Sequence, residues 1–194
     1  MPRLSGVFDQ FANLDNITAE DINRWLKVKI EQHALDNFIA NRIYYPQTIP
    51  MTVQEMEIDL ALLREALKSG DKKFYNLSTN KIIIPDEFVN RFYPTYQLVT
   101  AFIDGLKLSL NEITQVFLQQ AGTKKLVGSI FLPATIPEKN PVSIKIGQQK
   151  YELRLNTLTL LPINQIGLKI TIEQDKELVI DGGSIGIFVD LRRK

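Results

Sequence analysis

The segment Val142-Ser143-Ile144-Lys145-Ile146 alternates apolar and polar side chains, and residues 150–155, 168–173 and 185–191 repeat this alternation. A period of two is what a half-buried strand needs, because successive side chains point to opposite faces of a sheet. The last third of the chain is therefore predicted to form an antiparallel sheet with one dry face and one wet face. The first strand is predicted at Leu126 to Leu132.

The region before this sheet has the capping signals of helices. Thr18-Ala19-Glu20-Asp21 and Thr52-Val53-Gln54-Glu55 each place a hydroxyl where it can accept from the first free amides. Ser109-Leu110-Asn111-Glu112 repeats the second pattern and predicts a helix that ends at Gly122. Further helices are predicted around residues 35–43, from Pro85 and over 95–104, and one short strand is predicted at Lys81 to Pro85.

These patterns predict an α+β fold. A helical part of about five helices, residues 1–122, is expected to pack on an antiparallel β part, residues 123–194, which forms a small barrel or a sandwich. The two parts could be separate domains or one cooperative domain. Residues 1–122 carry 12 Lys and Arg against 15 Asp and Glu, and residues 123–194 carry 11 against 7. We attribute this difference to the surface compositions of a helical part and a sheet part.

The composition is that of a soluble globular protein, with 44% hydrophobic and 23% charged residues. No apolar run approaches the roughly 20 residues that span a bilayer, so no membrane span is expected. The first residues lack the apolar core of a signal peptide, which predicts a cytoplasmic protein. A net charge of +1 gives no reason to expect nucleic acid as a partner.

Cysteine is absent and His33 is the one histidine. Zinc sites and most general-base chemistry draw on these residues, so we predict no metal, no cofactor and no catalytic residue, and only an all-oxygen Ca²⁺ or Mg²⁺ site stays open. His33 itself is expected on a helix surface. The protein is therefore predicted not to be an enzyme, although one using only Asp, Glu, Ser, Thr, Tyr or Lys stays open.

Three other motifs have structural explanations. Residues 98–120 resemble a helix-turn-helix in spacing, but the second helix lacks arginine and lysine, so two packed antiparallel helices are predicted. The glycine-rich stretch 181–186 lies between strands, so Gly182-Gly183 is predicted to be a hairpin turn with positive φ. Glu55 and Asp59, four residues apart, are expected on a solvated helix face.

Two aromatic–proline segments are the most unusual feature of the sequence. Tyr44-Tyr45-Pro46 and Phe92-Tyr93-Pro94-Thr95-Tyr96 place amphipathic rings at breaks between helices. Tyrosine is enriched at interface centres, which favours a contact surface; the alternative is that the rings seal helix ends onto the sheet. The predicted partner-binding residues are Tyr44, Tyr45, Pro46, Tyr93, Pro94 and Tyr96.

The predicted function is that of a non-enzymatic protein-interaction, assembly or adaptor protein, whose partner is another protein or a second copy. The alternative is a carrier of an apolar or lipid-like ligand, bound between the sheet and the helix containing Trp25 or Met56. Such sites are mostly apolar and need few characteristic residues.

Overall fold

The computed structural model describes residues 14–68, 74–76, 78–91, 95–136, 138, 140–172 and 177–192. Over these residues the chain forms five α-helices and ten β-strands, which confirms the α+β class. The chain divides into two compact units, the first of residues 1–73 and 85–107, the second of residues 74–84 and 108–194. Whether residues 1–122 and 123–194 fold as separate parts stays a prediction.

The first unit is helical. After a 3-10 helix at Leu14–Asn16, its helices are α1 (Ala19–Asn23), α2 (Gln32–Tyr44), α3 (Val53–Lys68), α4 (Asp86–Arg91) and α5 (Thr95–Gly105). Among the described residues no helix is long and apolar enough to cross a membrane.

The predicted cap of α1 is confirmed, since Thr18 Oγ1 accepts from Asp21 N and the Asp21 carboxylate accepts from Thr18 N. The helix ends at Asn23, earlier than its apolar spacing indicates. The Asn23 side chain accepts from Ile30 N and donates to Ile30 O, so it holds the following residues as a closed loop. A side chain that bonds the backbone in this way competes with continuation of the helix.

Helices α3 and α5 form the centre of the first unit. The predicted apolar stripe of α3 is mostly buried, with Leu60, Leu63 and Leu67 inside, whereas Val53 is exposed. A Cβ on Gly105, at the end of α5, would lie 2.6 Å from Leu67 Cβ. The two helices can therefore approach closely only because residue 105 has no side chain.

The second unit consists of two sheets. Its strands are β1 (Tyr75–Asn76), β2 (Lys81–Pro85), β3 (Ile113–Gln120), β4 (Thr123–Phe131), β5 (Val142–Ile146), β6 (Gln149–Leu153), β7 (Leu158–Leu161), β8 (Leu168–Ile172), β9 (Leu178–Ile180) and β10 (Gly186–Asp190). One sheet has the order β1-β2-β3-β4-β10-β7 and the other β6-β5-β8-β9. A shared apolar core contains Phe131 and Val189 from the first sheet and Ile144 and Ile170 from the second, which is the arrangement of a sandwich.

The helix predicted from Ser109 to Gly122 is wrong, and so are the two packed antiparallel helices. Residues 113–120 are strand β3, whose residues Thr114, Val116 and Leu118 are buried at a period of two. Ala121 and Gly122, with φ of 45° and 81°, join β3 to β4 as a two-residue hairpin turn. The capping pattern at 109–112 misled the prediction, while the alternation directly after it is that of a strand.

The sheet is not wholly antiparallel as predicted, because β10 pairs in parallel with β4. Residues 181–185 do not form a hairpin: they lead from β9 in one sheet to β10 in the other. Neither Gly182 nor Gly183 has positive φ; a Cβ on Gly182 would lie 2.0 Å from Ile163 O. These glycines are required by close backbone contact rather than by turn geometry.

Residues 123–194 expressed alone should show no cooperative unfolding transition. The fragment lacks β3, which pairs with β4 at eight positions, and would leave a long central strand as an uncovered edge. The measurement is denaturant unfolding followed by circular dichroism, with the full chain as the control. A single cooperative transition of the fragment would contradict this expectation and support separate domains.

Candidate interaction site

Exposed apolar side chains are concentrated in residues 43–53, which include the last two residues of α2, the loop after it and the first residue of α3, and which are called the 43–53 connection below. The described residues leave eleven large hydrophobic side chains exposed, and six of them lie in this connection: Ile43, Tyr44, Tyr45, Ile49, Met51 and Val53. The exposed fraction reaches 75% for Tyr44 and 81% for Met51. The remaining five, Val28, Tyr96, Leu110, Ile166 and Val179, are separated along the chain. Single exposed apolar residues are ordinary, whereas these six lie within eleven consecutive residues of the chain.

Two prolines determine the local backbone of this 43–53 connection. Pro46 excludes helical geometry at Tyr45, whose φ and ψ are −126° and 67°, so α2 ends at Tyr44. Pro50 precedes the start of α3, where Thr52 Oγ1 accepts from Glu55 N at 3.1 Å. The Glu55 carboxylate accepts from Met51 N rather than from Thr52 N as the predicted capping box requires. The tyrosines therefore lie at a sharp break between two helices.

A buried ion network holds the connection in place from inside the first unit. Asp59, which is fully buried on α3, accepts from Arg42 Nε at 3.0 Å and from Arg91 Nη2 at 2.9 Å. Arg91 Nη1 in turn donates to Thr48 O at 2.5 Å and to Pro46 O at 3.5 Å. The end of α4 is thereby tied to the backbone of the connection. Two backbone carbonyls of the connection are therefore held by Arg91.

The electrostatics of this network follow from its burial. Burial raises the pKa of the Asp59 carboxyl, while attraction to Arg91 and hydrogen bonds from both arginines act in the opposite direction. Burial also lowers the pKa of the Arg91 guanidinium, an effect that Asp59 opposes. The Arg42 guanidinium lies over the Phe38 ring, 4.4 Å from its centroid. Two cations and one carboxylate are thus taken out of water together.

Sequence reasoning missed this network, because it placed Asp59 on a solvated face with Glu55. The available signal was the position of Asp59 between Ile58 and Leu60, three residues after Met56 and four before Leu63 on the apolar stripe. An acid inside such a stripe is buried, and buried acids need cationic partners. Which arginines would supply them could not be read from a single sequence.

The predicted partner-binding residues separate into three groups. Tyr44 and Tyr45 are exposed in the 43–53 connection, and Pro46 beside them is half-buried. Tyr96 is exposed on α5, outside the connection. Tyr93 and Pro94 lie outside the described residues. The rings of Tyr44 and Tyr45 are exposed and do not seal a helix end, and the partner-binding role of the six residues stays a prediction.

Other residues singled out from the sequence make structural contacts. His33 is exposed on α2, with Nδ1 3.4 Å from the Glu31 carboxylate. The Trp25 indole N–H donates to Glu65, and Arg64 and Lys68 lie over its ring. Trp25 therefore packs against charged side chains of α3. Among the described residues no three His, Asp or Glu side chains are grouped as metal ligands would be.

Two open grooves lie in the second unit. One, of about 500 Å³, is lined mainly by residues 132–136 and by the ion pair of Asp190 with Arg192. The other, of about 450 Å³, lies between the β5–β6 turn and residues 162–165. Neither groove is lined by Trp25 or Met56, the residues beside which the alternative function, an apolar-ligand carrier, places its ligand. Ligand carriage stays a prediction.

Comparison with protein-family models, with curated proteins and with solved structures finds no match to this chain.

Proposed function

We propose that this protein is a non-catalytic protein-interaction or assembly protein that binds its partner through the 43–53 connection. The observation that carries the proposal is the concentration of six exposed large apolar side chains within eleven consecutive residues. Tyrosine and methionine are enriched in the buried centres of interfaces. Such a surface in water is unfavourable, and a partner that covers it gains the corresponding free energy.

The anchored backbone is the second support for this proposal. Binding is weakened by the entropy of ordering a flexible segment, and a segment already held in one conformation avoids that cost. The hydrogen bonds that Arg91 donates to Thr48 O and that Met51 N donates to the Glu55 carboxylate hold the connection at both its middle and its end. The rings of Tyr44 and Tyr45 are therefore presented by a pre-organised segment.

The charges nearby indicate the chemistry of the partner. Within residues 43–57 the charged side chains are Glu55 and Glu57, and there is no lysine or arginine. An apolar centre with carboxylates at one end is complementary to an apolar surface with lysine or arginine at its rim. We expect the partner to be a protein surface of that kind.

Tyr45→Ala should weaken association without unfolding the protein. The Tyr45 ring is more than half exposed, so we expect the free energy of unfolding to change by less than about 0.5 kcal/mol. A contact at the interface centre would lose up to about 2 kcal/mol of binding free energy, a roughly 30-fold weaker Kd. The melting temperature of the full chain measures the effect on stability. The yield of its complex with the partner on size-exclusion chromatography measures the effect on association.

Val179→Ala, at another exposed apolar side chain on β9, is the matched control and should change neither quantity. A large fall in melting temperature for Tyr45→Ala, with association intact, would show that the ring is structural. An unchanged yield of complex for both Tyr44→Ala and Tyr45→Ala would also contradict the proposal.

A further inference from the structure

The four edge strands of the two sheets differ in how they are protected. Natural sheets shield their edges from other chains by short strands or by charged side chains. β1 has two residues and β9 has three, and β6 carries Lys150 and Glu152 on its exposed side. β7, with the sequence Leu158-Thr159-Leu160-Leu161, has four residues, more than β1 or β9, and no charged side chain. It is the unshielded edge among the described strands.

The residues on both sides of β7 are uncharged as well. Residues 155–168 contain no charged side chain. Pro162, directly after β7, is the first residue that limits the length of an added strand, because it has no N–H to donate. A second strand laid along β7 therefore meets neither charge repulsion nor a desolvated charge over this stretch.

The backbone groups that β7 offers can be identified from its pairing with β10. Leu191 N donates to Thr157 O, and the register continues with Thr159 opposite Val189 and Leu161 opposite Ile187. In an antiparallel pair the groups of alternate residues point to the same side. The N–H and C=O of Leu158 and Leu160 therefore face away from β10, where no other described strand is paired.

From this edge we infer that the protein self-associates, with β7 of one copy pairing antiparallel to β7 of a second copy. The occupant is a second copy because the same uncharged strand fits its own edge: Leu158 and Leu160 of one copy exchange hydrogen bonds with Leu160 and Leu158 of the other. That register places Thr159 opposite Thr159, a favourable cross-strand pair. The two copies are related by a two-fold axis, the commonest symmetry of homo-oligomers. This inference concerns a surface other than the 43–53 connection and does not depend on it.

Amide hydrogen exchange of the full chain, read residue by residue over a concentration series, tests the inference without any substitution. Sedimentation equilibrium of the same samples should give twice the 22.2 kDa mass of one chain at high concentration. The amides of Leu158 and Leu160 should be protected in the dimer and lose protection on dilution. The amide of Thr159, which faces β10, should stay protected at both concentrations.

Leu160→Pro provides the second test, because it removes an outward N–H and none of the bonds between β7 and β10. The expected result is a folded protein with half the mass of the wild-type dimer. Val179→Asp, at an exposed side chain on β9 and outside residues 155–168, is the control and should remain dimeric. If Leu160→Pro fails to fold, the exchange experiment on the unmodified chain still decides.

A monomer at all concentrations would overturn the inference, and so would a dimer in which the Leu158 and Leu160 amides exchange freely. Protection of both amides in a monomer would overturn it as well, since the edge would then be covered within one chain. A dimer that Tyr44→Ala dissociates and Leu160→Pro does not would place the second copy on the 43–53 connection. That result would support the proposed function while refuting the pairing of β7.

Discussion

Gly183→Ala should destabilise the protein by about 3 kcal/mol or more, which is the range of severe overpacking. A Cβ at this position would lie 2.2 Å from the carbonyl carbon of Val127 and 2.5 Å from Gly128 N. Backbone atoms of a central strand cannot move aside as the end of a flexible side chain can. For a chain of this size the melting temperature should fall by about 6–12 °C.

Gly122→Ala is the matched control for the effect of losing a glycine. Gly122 has φ of 81° in the β3–β4 turn, and a Cβ there would meet nothing within 4 Å. The substitution therefore measures the cost of a left-handed conformation alone, about 1 kcal/mol. If Gly183→Ala lowered the free energy of unfolding no more than Gly122→Ala does, the close crossing of residues 181–185 over β4 would be contradicted.

Asp59→Ala should lower the free energy of unfolding by about 3–5 kcal/mol, as the removal of one partner from a buried ion pair does. The substitution leaves the Arg42 and Arg91 guanidinium groups inside the first unit without the carboxylate that both contact. Denaturant unfolding of the full chain at neutral pH measures the change. A loss below about 1 kcal/mol would show that the network is not required for stability.

Two further variants show whether the lost charge of Asp59 causes the loss of stability: Asp59→Asn removes the charge, and Asp36→Ala is the control at an exposed acid. Asp59→Asn keeps the volume and one acceptor oxygen but removes the charge, so most of the loss should persist if charge compensation is the cause. Asp36→Ala removes an exposed acid on α2 that accepts only from Gln32 within the described contacts. It should change stability by less than about 0.5 kcal/mol. If Asp36→Ala and Asp59→Ala lowered the free energy of unfolding equally, the stabilising role assigned to the buried ion network of Asp59 would be contradicted.

The parts of the fold that local chemistry specifies could be predicted from the sequence. Thr18 and Thr52 start helices because a hydroxyl at the N-cap accepts a hydrogen bond from a free amide. Strands β5, β6, β8 and β10 follow from alternation, whereas β7 and β9 were not predicted by it. The failures have non-local causes. Residues 109–122 contain both a capping pattern and a strand pattern, and pairing with β2 and β4 selects the strand. The parallel pairing of β10 with β4 depends on a chain crossing that no local pattern contains.

Some features of the candidate site could also be predicted from the sequence, and others could not. The break at Tyr44-Tyr45-Pro46 could be predicted because proline restricts the residue before it. The exposure of Ile49, Met51 and Val53 could not, since Val53 continues the apolar stripe of α3 in sequence. The contact of Arg91 with Thr48 joins residues 43 positions apart, and no spacing rule reaches that far.

Site-specific photo-cross-linking in the source cells tests the central claim most directly. A photo-reactive phenylalanine analogue is placed at Tyr44 in the full chain and, as the control, at Val179, which is also exposed. The account predicts a discrete cross-linked product from position 44, which decreases when Met51→Ala is added, and no such product from position 179. Equal products from both positions, or none from position 44, would contradict the assignment of the 43–53 connection as the contact surface.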